Sequence, residues 1–427
     1  MPLVPQEPPV TTSYRLHIQS GGTFHQVAGN HNEYKYNVAG NFVQSRGENG
    51  ISLLQRNISG DSLHNSEQRF PPPLCHPDTR IAVQNIIQDW VEDIDNQAPN
   101  VMWLYGPAGA GKSAVAQSMA ENWAANNRLA ASFFFARWRA GGSLGESLFP
   151  TIAYQLALHI PGLRHLIGLA VEEDPAICDK TLDEQFYTLI VNPISLLPTK
   201  SSWPYLIIID GLDECDSKPM QSRIISIISQ ELVYNNLPMR FLICSRPEPH
   251  IRESFDSLPD YVHFRRLILD ETFNPGRDIL RYLRDRLTDI RRRRLPRQDV
   301  LWPSERDLER LVHCASGQFI YVAIVVKFVD DEYCHPVDQL SAVLDLSATG
   351  AGQSPFSELD TLYSHILSAN PNISIVMQIL GGYFAIPEML AHPERQSVGF
   401  LDEILGLRSG STTIQSAFIT LRYTISS

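Results

Sequence analysis

"VMWLYGPAGAGKSAVAQSMAE", Val101 to Glu121, decides how this chain folds. Its first residues, Val101 to Tyr105, are apolar or aromatic, as in a strand buried on both faces of a sheet. Gly106, Pro107, Ala108, Gly109, Ala110, Gly111, Lys112 and Ser113 follow in the spacing G-x-x-x-x-G-K-S, and a run of good helix formers comes next. The glycines let the backbone wrap with its N–H groups pointing inward, where those donors can cradle phosphate oxygens. Lys112 adds a point charge toward the outer phosphates, and the Ser113 hydroxyl is a magnesium ligand. A strand before the loop and a helix after it are the context this chemistry needs. A glycine turn that merely happens to contain Lys-Ser is the weaker explanation.

Such a loop needs an acid at the end of a neighbouring strand to hold the magnesium, normally through water. "YLIIIDGLDECD", Tyr205 to Asp216, supplies one. Leu206 to Ile209 read as a central strand, and Asp210 ends it. Asp213, Glu214 and Asp216 follow over the same edge, so carboxylates crowd where one would suffice for the metal. A carboxylate near a terminal phosphate can orient or deprotonate the attacking water, which the metal-holding acid cannot do while occupied. One of Asp213 and Glu214 is expected in that role, with Glu214 slightly favoured; capping of the next helix by Asp213 or Asp216 is the competing use. "RFLICSRPEPHI", Arg240 to Ile251, is a further buried strand leading to Ser245 and Arg246. Arg246 can reach a γ-phosphate, or it can be spent on a salt bridge to the acid cluster.

Strand-like segments at Val101–Tyr105, Ala131–Ala136, Tyr205–Asp210, Arg240–Ser245 and Val262–Leu269 alternate with helical ones at Ser113–Ala125, Leu148–His159, Gln185–Ile190 and Gln221–Leu232. That alternation implies an α/β fold with a parallel sheet and flanking helices. Upstream, Ile81 to Ile94 has helical spacing with Asp78 as a plausible N-cap, after a proline-rich hinge at Arg69–Pro77. Downstream of Asn274 the pattern turns helical, at Asp278–Leu287, Glu305–Cys314, Phe319–Val329 and Leu359–Leu367. The expected division is a polar, largely irregular arm over 1–70, a linker and lead-in helix over 71–100, the sheet domain over 101–270, a helical subdomain over 271–345 and a last region over 355–427. "VAGN" occurs at Val27–Asn30 and Val38–Asn41, which fits a flexible arm with a short hairpin or a weak self-stacking repeat.

The chain has 427 residues, 43% of them hydrophobic, enough for at least one large core. A formal charge of −12 argues against broad binding to nucleic acid or anionic membranes. Cys75, Cys178, Cys215, Cys244, Cys314 and Cys334 show no paired spacing, which fits reduced thiols in a cytoplasmic protein. The N-terminus lacks the build of a signal peptide, and Phe319–Phe328 is too short to span a bilayer. The basic run Ile290–Arg297 reads as a solvated helix end offset by acids, with a nuclear-localisation patch as the alternative.

Together, GPAGAGKS, IIIDGLDE and the later CSRP resemble the NACHT family of signal-transducing P-loop NTPases, of the STAND class. FFFARW, FPTIAYQLA and CASGQFIYVAIVVKFV make the sequence look closest to fungal NLR-like members. The resemblance covers roughly Phe70 to Val329. It implies an ATP- or GTP-dependent switch with magnesium, in which nucleotide exchange opens the molecule and permits self-association for defence or self/non-self signalling on a protein trigger. Asp210 would be the magnesium acid, Asp213 and Glu214 the hydrolytic pair, and Arg246 the sensor. It also implies a helical subdomain and a partial winged-helix region, to which LDTLYSHIL and FLDEILGL would belong. No solenoid or propeller period follows Val329, and no winged-helix histidine stands out, so truncation or a different mode of regulation is expected. No Asn-Lys-x-Asp motif is present, which favours ATP over GTP. The alternatives are a nucleotide-binding scaffold without turnover and a P-loop small-molecule kinase, the latter disfavoured by the acid pair and the helical tail.

Overall fold

The computed structural model describes residues 16–19, 23–28, 32–36, 47–93, 98–136, 145–197, 205–215, 217–295, 302–349 and 357–368. Near the N-terminus, β1 (Leu16–Gln19), β2 (Thr23–Ala28) and β3 (Asn32–Tyr36) form an antiparallel meander. Val27 and Ala28 of the first VAGN pair with Glu33 and Asn32, while the second VAGN lies outside the described residues.

The arm expected over 1–70 gives way to packed structure well before residue 70. Helix α1 (Glu48–Gln55) buries Ile51 and Leu54 in the main core. Its amphipathic sequence, ENGISLLQ, is too short to show a helical period clearly against the polar residues around it. After short 3₁₀ turns the chain reaches α2 (Ile81–Glu92), which buries Val83, Ile87, Trp90 and Val91. Asp78 is not its cap: the N-cap is Arg80, left-handed at φ 55°, and Asp78 instead pairs with Arg281.

The centre of the molecule is a parallel sheet made of β4 (Val101–Tyr105), β5 (Leu129–Phe134), β6 (Tyr205–Asp210), β7 (Met239–Ser245) and β8 (Phe264–Ile268). Their order is β5-β6-β7-β4-β8. Helix α3 (Lys112–Ala125) joins α2 on one face, against Met102, Leu104, Phe134, Ile208 and Cys244. The opposite face takes Trp103, Phe133, Ile207, Ile209 and Phe241 under α4 (Leu148–His159) and α5 (Leu163–Glu173). The same cluster holds residues of α6 (Leu182–Phe186), α7 (Asn192–Ser195), α8 (Lys218–Tyr234) and α9 (Pro249–Asp256). Both faces are covered, which is why β4 and β6 read as nearly unbroken apolar runs.

The acid strand β6 is not the direct neighbour of the loop strand β4 that the neighbouring-strand expectation for Asp210 implies. The structure inserts β7 between them, so Ser245 and Arg246 lie between the loop after β4 and the acids after β6. Trp103 Nε1 donates to Ser245 Oγ at 2.8 Å, fixing β4 and β7 in register at that end.

A second, all-helical core follows, built from α10 (Pro275–Arg294), α11 (Glu305–Ala315), α12 (Phe319–Val329), α13 (Pro336–Thr349) and α14 (Ser357–Ser368). Ser304 opens α11 with a capping box closed by Asp307. Leu362 of α14 shares this core, so the boundary drawn at 345 falls inside α13 and α14 packs with the helical subdomain. The winged-helix expectation beyond Ser368, including FLDEILGL, lies outside the described residues. The basic run ends α10, where Arg293 pairs with Asp289 and Asp330 at 3.0 and 2.9 Å, and Arg294 donates to the Cys334 carbonyl at 2.6 Å. Positive charge at a helix C-terminus is also favoured by the helix dipole. No helix among the described residues is long and apolar enough to cross a membrane.

Candidate functional site

The site is built where β4, β6 and β7 end and α3 begins, outside the carboxyl edge of the sheet, where open α/β folds bind ligands. The loop after β4 is held open by backbone only glycine adopts readily: Gly109 has φ 75° and Gly111, the N-cap of α3, has φ 93°. Gly109 also permits a close approach, since a Cβ there would fall 2.2 Å from Ile320 Cγ2. Ile320 N donates to Gly109 O at 3.4 Å, so the start of α12 roofs the loop. From below, Arg80 Nη2 donates to Ala110 O at 2.9 Å, while the Arg80 N–H donates to Asp278 at 2.8 Å and its guanidinium faces the Phe319 ring. Lys112 Nζ donates to Gly106 O at 2.8 Å and Pro107 O at 2.9 Å. Burial pushes its pKa down, and the charges of Asp213 and Asp210 oppose that.

Asp210 is only 4% exposed. Its carboxylate accepts from Ser113, in the first turn of α3, and its Oδ1 has no hydrogen-bond partner among the described residues. Burial raises its pKa, countered by the Ser113 hydrogen bond and by the charges of Arg69 and Lys112. A buried carboxylate oxygen without a partner is costly unless a cation satisfies it. Ser113 and Asp210 offer hard oxygen donors, which suit magnesium better than zinc or copper. No group of three His, Cys, Asp or Glu among the described residues is arranged to hold a metal alone, so the remaining ligands would be water and phosphate oxygens. The residues present fit magnesium.

Gly211, at φ 73°, turns the chain sharply after Asp210 into a 3₁₀ turn over Leu212–Glu214. This turn separates the two candidate bases. Asp213 is buried, and its Oδ1 accepts from the Arg246 N–H at 2.9 Å while its Oδ2 lies 3.3 Å from Arg246 Nε. Glu214 is half-buried in the same turn. Neither acid caps α8, whose cap is Ser217. Gln221 of α8 secures the turn by donating to Cys215 O at 2.6 Å, and it contacts His250 Nε2 at 2.6 Å.

All the residues singled out from sequence therefore gather at one edge: Gly106 to Ser113, Asp210, Asp213, Glu214 and Arg246. The salt bridge weighed for Arg246 is the arrangement seen. Three participants went unnoticed: Arg80, Gln221 and Arg69, whose charge faces Asp210 and Glu214. The only signal for Arg69 was its place beside a proline-rich hinge, which says nothing of where its side chain goes.

Residues 80–246, from one site arginine to the other, match the family model described as Nephrocystin 3, N-terminal. No curated protein matches the chain. Among solved structures, Drosophila ORC bound to DNA aligns with 13% identity and a TM-score of 0.36, over 71% of this chain and 72% of that one. AMPPCP-bound DnaA from Aquifex aeolicus aligns with 10% identity and a TM-score of 0.34, over 86% of this chain and 98% of that one. A structure titled as a DNA replication initiation factor aligns with 11% identity and a TM-score of 0.29, over 68% of this chain and 87% of that one. The described residues around this site have the fold of a P-loop NTPase, and residues 80–246 are similar to the N-terminal region of nephrocystin 3.

Proposed function

We propose that the chain is a slow, magnesium-dependent nucleoside-triphosphate switch, with ATP preferred over GTP. The observation that carries this reading is Asp210, buried with an unsatisfied oxygen against Ser113 at the start of the loop helix. Magnesium bound there would draw charge from the β- and γ-phosphate oxygens. Backbone N–H groups of Ala108 to Ser113 bind the phosphates. Lys112 exchanges its two loop carbonyls for phosphate oxygens, a stronger, charge-assisted pairing. Glu214 accepts the proton of the attacking water, because Asp213 is committed to holding Arg246. Arg246, fixed by Asp213, is the sensor of the terminal phosphate.

The α12 start touches the loop at Gly109, so a change in loop shape on exchange is passed to the helical subdomain. By the resemblance to fungal NLR-like NACHT proteins, that change releases self-association, on a protein trigger, in defence or self/non-self recognition in the cytoplasm. Net charge −12 argues against nucleic acid as the partner.

Light scattering of the purified chain with a non-hydrolysable ATP analogue or with ADP, beside a phosphate-release assay, tests this. Larger assemblies with the analogue only, and slow phosphate release, are expected. Nucleotide binding with no phosphate release would make the protein a scaffold, and identical size in both states would remove the switch.

A further inference from the structure

The segment from Gly47 to Arg80 is not a tether lying beside the sheet. It is fastened along its length. Gly47 N donates to Glu172 at 2.7 Å, Ser59 N to Thr151 Oγ1 at 2.9 Å, His64 N to Ser132 Oγ at 3.1 Å and Cys75 N to Ser118 Oγ at 2.9 Å. The strap so formed carries Arg69 into the metal side of the site.

The Arg69 guanidinium carbon lies 3.8 Å over the Phe134 ring, and its Nη2 donates to Gln117 Oε1 at 3.1 Å. Phe134 is the register partner of Asp210 across β5 and β6, so ring and carboxylate stand side by side on the same face of the sheet. Gln117 stands one turn after Ser113 on α3, and its Nε2 donates back to the strap at His64 O, 2.8 Å away. Nε of Arg69 and Oδ1 of Asp210 are among the buried atoms without hydrogen-bond partners in the described residues. The charge of the guanidinium therefore acts on the metal acid, and on Glu214 as well. No sequence motif or family match assigns it a role.

We propose that Arg69 is the resident countercharge of Asp210, so that strap docking and magnesium loading oppose one another. A guanidinium beside a buried carboxylate offsets much of the cost of keeping that carboxylate ionised. A divalent cation arriving at the same carboxylate finds a positive charge already there, and in such half-buried surroundings the repulsion is only partly screened. Arg69 therefore sets how much magnesium the site requires. By linkage, whatever factor the docked arginine takes from magnesium affinity, magnesium takes from the docking of the strap. Arg69 acts through Asp210 and is a positioning residue. The inference rests on the nucleotide-magnesium reading of the site.

The test is calorimetric titration of AMPPNP into the full chain at a series of magnesium concentrations, for wild type, Arg69→Gln and Arg69→Lys. Gln keeps a donor for Gln117 and drops the charge; Lys keeps the charge. Half-maximal binding is expected at about 3- to 10-fold less magnesium in Arg69→Gln, and near the wild-type concentration in Arg69→Lys. Independently of any variant, magnesium with AMPPNP should raise amide hydrogen exchange over residues 62–70 of the wild type. An unchanged magnesium requirement in Arg69→Gln, or unchanged exchange over the strap, would overturn the proposal. A higher requirement would also overturn it, and would make Arg69 a ligand of the phosphates. Wild type that binds no nucleotide at any magnesium concentration would instead remove the nucleotide reading itself.

Discussion

The phosphate loop and the strap reach the same site by opposite routes. Gly106 to Ser113 work mainly through backbone: close approach, left-handed turns and N–H groups aimed inward. The strap works through side chains that travel far in sequence, with Arg69 and His64 meeting Gln117 and Ser132 some fifty to seventy positions away. A backbone device must be written as contiguous residues, so it leaves a motif. A side-chain device needs only one residue of the right type at the right place in space. The first region therefore announces a ligand, and the second sets the conditions under which the ligand is held.

The largest effect that sharpens this contrast lies among the acids that follow the loop. Glu214→Gln should keep nucleotide binding and slow phosphate release by about 10² to 10⁴. Asp213→Asn should instead weaken the hold on Arg246, and so reduce discrimination between ATP and ADP in binding. Equal turnover in wild type and Glu214→Gln would transfer the base to Asp213.

A smaller effect isolates the strap. Helix α1 crosses α5 at a glycine-on-glycine contact, where a Cβ on Gly168 would lie 2.1 Å from Gly47 O and one on Gly50 would lie 1.9 Å from Gly168 O. Backbone cannot retreat as a flexible side chain can, so Gly168→Ala should cost about 1–3 kcal/mol in denaturant unfolding. It should also speed proteolysis between residues 47 and 70. Stability equal to wild type would mean the strap is not held there.

The smallest effect is one of pH. His64 lies against Ser132 with Nδ1 3.0 Å from its Oγ, and burial lowers its pKa from the usual 6.5, with His159 and Arg69 acting the same way and Glu121 opposing. Below 6.5 the unfolded chain binds a proton that the folded chain refuses, so stability falls as pH drops from 6.5 toward the lowered folded value. The melting temperature should fall more steeply between pH 7 and 5.5 in wild type than in His64→Asn. Parallel curves would remove His64 as the cause.

Much of the molecule was legible from sequence, and for identifiable reasons. Tyr205–Asp210 and Val101–Tyr105 are buried on both sides, so their apolar runs gave strand limits directly. The loop and Asp210 were readable because phosphate and magnesium chemistry demands those types at those places. What stayed hidden depends on tertiary contact. Strand order is not written locally, so the insertion of β7 between loop and acid came only from the fold. Asp78 reads as a cap by type, but the left-handed turn at Arg80 starts the helix two residues later. Asp213 and Glu214 are adjacent in sequence and equal in chemistry. Only the turn at Gly211 sends one to Arg246 and leaves the other half-buried at the edge.

In the proposed function the edge of the sheet binds a nucleoside triphosphate with magnesium. The most direct test is isothermal titration of ATP, GTP and ADP, with magnesium, into the full chain and into Lys112→Ala. Adenine-nucleotide binding is expected, weakened by about 10²-fold or more in the variant and reduced when magnesium is removed. Binding that is equal in the two chains, or absent from both, would contradict it.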